Sequence, residues 1–268
     1  MIAGTTAALK ILAWLLAAEG VALSAPDAGS AEPGTPPVAD EALGPNQVCL
    51  GDLRVKQVAF VEWPTKGVRT PVRITGPLGA VRLRSHDPRA TGLATPLMDC
   101  ELARALLDAA PAFRTLGIRE LIFSGTYQYR TRHRSTKLSE HAHGLAIDVH
   151  AFAVDAGAVG EIGVAAGVGA GAGGGAEPVL VDVQHDFEAQ VGVWAVTDPD
   201  SCVGHPRTGK GRLLRTLACR LRASSIFREV ITPDDNADHY NHFHLEAFPD
   251  ALTRTRAVLA RKPTVIDD

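Results

Sequence analysis

Two segments nearly a hundred residues apart alternate apolar and polar side chains with a period of two. In the first, Leu145, Ile147 and Val149 alternate with Ala146, Asp148 and His150; in the second, Phe243 and Leu245 alternate with His242, His244 and Glu246. Successive side chains of a strand point to opposite faces, so each segment reads as a strand with one face for a core and one for a cleft. Eight of the ten histidines follow residue 140. Five of these gather in Ser139-Glu140-His141-Ala142-His143-Gly144, just ahead of Asp148, and in Asp238-His239-Tyr240-Asn241-His242-Phe243-His244. Two imidazoles and one carboxylate, with a position left for water, are a ligand set of catalytic zinc sites. To serve one ion, the two segments must meet in space, as adjacent strands of one sheet can.

The rest of the chain can supply such a sheet. Asp99 is a good N-cap, and Leu102, Ala105, Leu106 and Ala109 follow at helical spacing. Pro111 is expected to kink or restart this helix, and Gly117 to end it. Ile118–Phe123 reads as a strand, and Gly209–Arg222 as a helix with Leu213, Leu214, Leu217 and Leu221 on one face. The expected fold is α+β: a small antiparallel sheet carries the site, and helices pack on its other face. A chain of 268 residues, 46% hydrophobic, can build a core without help from a metal, so a metal here would serve chemistry. Between the two strands, residues 154–176 are mostly Gly, Ala and Val, and read as an inserted loop, with a lid over the site as the competing reading.

Residues 1–24 resemble an export signal or an uncleaved N-terminal anchor: Lys10 precedes the apolar run Ile11–Ala18, and small residues follow at Ala22, Ser24 and Ala25. Residues 25–46 read as a linker, 47–258 as the folded domain and 259–268 as a tail. The expected location is periplasmic, cell-envelope or extracellular, with membrane contact only through an uncleaved anchor. Four cysteines suit an oxidising compartment and allow three pairings, among which sequence does not choose. Cys49 with Cys100 and Cys202 with Cys219 is the pairing we expect. The net charge of −3, with signs well mixed, argues against nucleic acid as a partner. The one basic run, Arg130, Arg132, His133, Arg134 and Lys137, reads as a solvated loop or as an attractor of an acidic polymer or a substrate carboxylate.

The pattern Ser139-x-His141-x-x-Gly144-x-Ala146-x-Asp148 resembles the SxHxxGxAxD motif of the D-alanyl-D-alanine metallopeptidases and murein endopeptidases. His239-x-x-His242-x-His244 resembles their second motif. Thr95-Pro96-Leu97-Met98-Asp99-Cys100, Leu138–Ala142 and His242–Leu245 are similar to the extensin-like C-terminal family, and the resemblance covers about residues 48 to 250. It implies the zinc fold shared with hedgehog domains, with His141, Asp148 and His244 as ligands of one Zn2+. It makes His242 the general base or the group that orients the attacking water. His239 and Ser139 would stand behind the ligands, and Arg130 would hold a substrate carboxylate or stabilise an oxyanion. The implied activity is zinc-dependent hydrolysis of peptide bonds in cell-wall peptidoglycan, next to a D-amino acid, with peptidoglycan or its peptide stems as partner. The alternatives are a wall-binding module that keeps the metal but lacks turnover, as hedgehog signalling domains keep a metal without turnover, and an envelope protein in which the histidines form no site. Members of the family usually carry a Cys before the arginine matching Arg130; here Tyr129 stands there, which leaves Cys202 as a replacement partner for Cys219.

Several neighbours read as bystanders. His143 lies on a variable motif position, while His150 shares the face of Asp148. Glu246 is either a carboxylate holding a ligand imidazole or a solvated strand end. Glu140 and Asp238 read as surface groups, Tyr127 and Tyr129 as packing residues or cleft lining, and His86, His133, His185 and His205 as ordinary surface histidines.

Overall fold

A computed structural model describes residues 46–87, 89, 95–160, 177–193 and 199–260. The expected export segment, the linker up to residue 45, residues 161–176 of the Gly/Ala-rich insert and residues 261–268 of the tail lie outside the described residues. The side chain of Asn46 accepts from the backbone N–H of Cys49 and so starts α1 (Gln47–Val55). Strands β1 (Phe60–Glu62) and β2 (Pro71–Ile74) follow, then β3 (Arg82–Ser85) and β4 (Leu97–Asp99). β1, β2 and β4 form a small antiparallel sheet of their own, a second sheet beyond the one expected.

Asp99 then caps α2 (Cys100–Thr115), accepting from the N–H of Glu101 at 2.9 Å. The helix runs through Pro111 as one element and does not restart there. Pro111 lies on the exposed side, while Ala109, Ala110 and Phe113 around it are buried and hold the helix against the core. Gly117, with φ +69°, ends it, and β5 (Ile118–Gly125) begins. A 3-10 turn (Glu140–His143) leads into β6 (Ala146–Val154) and α3 (Ala156–Gly160). Beyond the insert come β7 (Val179–Asp182), α4 (Val183–Asp186), α5 (Pro199–Val203) and α6 (Gly209–Ser224). The chain continues through β8 (Glu229–Ile231), a 3-10 turn (Ala237–His239), β9 (Phe243–Glu246) and α7 (Ala251–Ala260).

The main sheet has the order β3-β5-β6-β9-β8, with β7 also paired to β6. It is mixed, not purely antiparallel: β3 and β5 run parallel. A parallel pair needs a long crossover, and β4 with α2 supplies it. The strands that carry the histidines are antiparallel, as expected. Along one edge β6 pairs first with β9, through Ala146–Val149, and then with β7, through Ala151–Val154. The apolar sides of β6 and β9 (Ile147, Val149, Phe243 and Leu245) are fully buried in one core with Leu102 and Leu106 of α2 and Leu213 and Leu217 of α6. The period-two faces and the helical leucine stripe thus meet as their spacing requires.

The insert does not start as a loop. Val154 is a buried strand residue, and Ala158 and Val159 of α3 pack on the core. Disulfides join Cys49 to Cys100 and Cys202 to Cys219, closing separations of 51 and 17 residues, which is the expected pairing. Two such bonds suit an oxidising, exported environment. Among the described residues no helix is long and apolar enough to cross a membrane.

Candidate metal centre

Strand register places the distant segments together. In the β6–β9 pair Asp148 lies directly opposite His244, and Ile147 opposite Leu245. His141 arrives from the 3-10 turn just ahead of β6. Buried Ser139 caps that turn, accepting from the N–H of His141 at 3.4 Å, and Gly144 closes it with φ +66°. His141, Asp148 and His244 each offer a ligand atom, all within 4.8 Å of one another. Among the described residues this is the one such group of three or more His, Cys, Asp or Glu side chains.

The carboxylate sits between the imidazoles: His244 Nδ1 is 2.8 Å from Asp148 Oδ1, and His141 Nε2 is 3.2 Å from Asp148 Oδ2. Burial pushes the Asp148 carboxyl up, but hydrogen bonds from His141 and His244 and their charge outweigh it and hold the group well below the usual carboxylate range. Asp148 is therefore an anion at any physiological pH. A carboxylate flanked by two imidazole nitrogens can hold a divalent metal ion, and this donor set suits zinc and other first-row ions alike.

Gly144 is needed for this geometry. A Cβ there would lie 2.7 Å from the backbone nitrogen of Asp99 and 3.1 Å from the carbonyl carbon of Met98. The Asp99 N–H also donates to Gly144 O at 2.9 Å, so the ligand turn is bolted to the β4–α2 junction. Gly144→Ala is expected to cost about 2–4 kcal/mol, from left-handed strain and overpacking together. Urea unfolding of the metal-free protein measures it, and an unchanged midpoint would show that the turn tolerates a side chain.

His242 lies just before β9 and not within it. Its Nε2 is 3.4 Å from Asp148 Oδ1, and its Nδ1 is 2.8 Å from the amide oxygen of Asn241. An amide oxygen only accepts, so Nδ1 carries the proton and Nε2 turns a lone pair to the site. Burial pushes His242 down to about 4; the Asp148 charge opposes this, while His239 and His150 add to it. The imidazole is therefore neutral near pH 7. His239, on the second 3-10 turn, bonds Asn236 Oδ1 through Nδ1 at 2.6 Å. Its ring lies 5.0 Å from that of His242 and 5.4 Å from that of His244, and burial, then the His244 charge, lowers its pKa.

Arg130 stands in a run, residues 128–137, that is exposed throughout. Its Nε donates to Gln128 Oε1 at 3.0 Å, and its carbonyl accepts from the N–H of Ser139, the residue that caps the ligand turn. Of the other basic residues in the run, Arg132 pairs with Glu140 at 2.8 Å.

His143 turns to the carbonyl of Gly67, at 3.0 Å, and away from the triad. His150 occupies a β-bulge: Val149 pairs with Phe123 and Ala151 with Ile122, leaving His150 without an opposite residue on β5. Its Nε2 bonds the hydroxyl of Ser124, itself skipped by the register, at 2.8 Å. The His150 ring lies 5.2 Å from that of His242 and 4.5 Å from that of His86, so His86 joins the row of imidazoles and is not an isolated surface residue. His133, His185 and His205 are exposed, as expected.

Glu246 is 2% exposed, which corrects the solvated strand end, and its Oε2 is 3.9 Å from His244 Nε2. Arg228, a residue that no sequence motif marks, contacts both Glu246 and Glu140. Its only sequence signal is a basic residue just ahead of a short apolar strand. Tyr127 donates to the carbonyl of Lys66, exposed Tyr129 lies under the Lys66 ammonium at 4.2 Å, and Asp238 is exposed.

Residues 47–183 match the family described as extensin-like protein C-terminus, a span of just over half the chain. The span includes His141 and Asp148 but ends before His244, which reaches them through strand pairing alone. No curated protein and no solved structure matches the chain.

Proposed function

The chain belongs to the extensin-like C-terminus family, and from that premise we propose that it is a zinc-dependent hydrolase of peptide bonds in cell-wall peptidoglycan, of the D-alanyl-D-alanine peptidase type and with the hedgehog-type zinc fold. The observation that carries the reading is the triad of His141, Asp148 and His244 with a neutral imidazole, His242, aimed at the same point.

Zinc, when held by those three side chains, supplies Lewis-acid polarisation of a carbonyl and lowers the pKa of a bound water to about 7. The chain's own residues do the rest. His242 Nε2 accepts the proton of the attacking water, while Asn241 keeps the proton on Nδ1 so that the accepting lone pair stays in place. The same imidazole returns the proton to the leaving amine, so water and one amide bond become a carboxylate and an amine. Arg130, exposed in the run 128–137, suits a substrate carboxylate. The basic run beside it draws anionic wall peptides toward the mouth of the site.

Zinc-loaded protein incubated with muropeptides is expected to release new amino termini, to stop when a chelator is added and to resume with zinc. Fully loaded protein that releases no amine would overturn the reading. If it nevertheless bound the muropeptides tightly, the chain would instead be a metal-containing wall-binding module.

A further inference from the structure

We infer that Arg228 is a positioning residue for the metal centre: it clamps the two ligand-bearing segments together through Glu140 and Glu246. The inference rests on the metal reading above and deepens it. Arg228 stands immediately before β8, and its backbone N–H donates to Glu246 O at 2.7 Å, which anchors its Cα beside β9. From there Nη2 reaches Glu140 Oε1 at 2.8 Å and also contacts Glu246 Oε1.

The two carboxylates come from different motifs. Glu140 opens the 3-10 turn and is the residue before His141, whereas Glu246 closes β9, two residues after His244. One guanidinium therefore ties the turn that delivers the first ligand to the strand that delivers the last. The Glu246 side chain is 3% exposed and that of Glu140 15%. A carboxylate buried so deeply is stable only with a cation against it, and Arg228 is that cation. The guanidinium fork suits two acceptors at once, which the point charge of a lysine does not.

The clamp also bears on His244 itself. Nδ1 of that ring faces Asp148, at 2.8 Å, so Nδ1 is its metal-side nitrogen. Nε2 then faces Glu246 Oε2, at 3.9 Å. A carboxylate behind a ligand imidazole fixes its tautomer and orientation and raises its basicity. Arg228 fixes where that carboxylate stands. Glu140 carries a second cation, Arg132 at 2.8 Å, so loss of Arg228 leaves Glu140 paired and Glu246 exposed to full desolvation.

The test is metal binding by the purified full chain, with zinc affinity read by chelator competition and ligand geometry by the visible spectrum of the cobalt-substituted protein. Arg228→Gln is expected to weaken zinc binding roughly 10- to 100-fold and to shift the cobalt bands. Arg228→Lys is expected to recover only part of the affinity. Glu140→Gln, a change in a partly exposed side chain, breaks the bridge without stranding Glu246, and is expected to weaken zinc by a smaller factor. Melting of the metal-free proteins separates positioning from general damage: a merely structural role would lower the apo melting temperature and leave affinity and spectrum alone. Should Arg228→Gln fail to fold, Glu140→Gln decides. Wild-type affinity and cobalt spectrum in the folded variants would overturn the clamp. Wild-type protein that takes up no metal would instead overturn the reading on which the clamp rests.

Discussion

Asp148→Ala is expected to weaken divalent-metal binding on the order of 10³-fold, because loss of a direct ligand exceeds the roughly 10–100-fold cost of losing an outer partner. The carboxylate is the only anion of the triad, and both imidazoles converge on its oxygens, at 2.8 Å and 3.2 Å. Alanine leaves two nitrogens facing a hole with no negative charge to offset that of an ion. The fold should survive. Asp148 is paired through its backbone on both sides, with Gly125 and His244, and the core side of β6 is untouched. Isothermal titration with zinc, alongside circular dichroism, measures both points. A folded Asp148→Ala protein with wild-type affinity would mean that the ion, if any, sits elsewhere.

His242→Gln is expected to keep the metal and lower turnover about 10²- to 10⁴-fold, the range for loss of a general acid–base group. The same substitution has a pH signature. Burial sets His242 at about 4 in the folded chain, against about 6.5 when unfolded. Between these values the unfolded chain binds the proton first, so stability contributed by His242 is intact above pH ~6.5 and is lost as pH falls toward ~4. Asp99 runs the other way: burial raises it to about 6, so its contribution is present below pH ~4 and is lost as pH rises through about 6. Comparison of wild type with His242→Gln cancels Asp99 and isolates His242. The variant, stripped of metal, should lose less stability than wild type between pH ~6.5 and ~4, by about 2–3 kcal/mol. Parallel stability curves across that window, or undiminished turnover, would remove His242 from its assigned role.

The three candidate ligands are named together by the motif resemblance, and the structure brings the same three side chains together as a group that could hold a metal ion. Period-two alternation put Asp148 and His244 on cleft faces, and antiparallel pairing then set them opposite each other. Ser139 and Gly144 stand out in the sequence as motif residues; the structure shows one capping the turn that delivers His141 and the other closing it with positive φ. The cysteine pairing agrees with the expectation, but three pairings are open in the sequence; the structure closes the choice by placing Cys49 and Cys100 at the starts of two adjoining helices. What stayed hidden depends on register or on long-range packing. The bulges at Ser124 and His150 bring the imidazole of His150 beside His242, and no residue type marks them. β3 is only Arg82–Ser85, too short and too polar to reveal that it runs parallel to β5. Glu246 looks like a solvated strand end until Arg228, from the neighbouring strand's approach, covers it. Pro111 suggests a break, yet the buried residues on either side outweigh one missing hydrogen bond.

The central claim is that two stretches of chain meet to hold one divalent ion through His141, Asp148 and His244. Elemental analysis of the purified protein after dialysis against a trace of zinc measures this directly, with His244→Ala as the control. The account predicts about one zinc per wild-type chain and close to none in the variant. Equal metal in both proteins, or none in either, would contradict it.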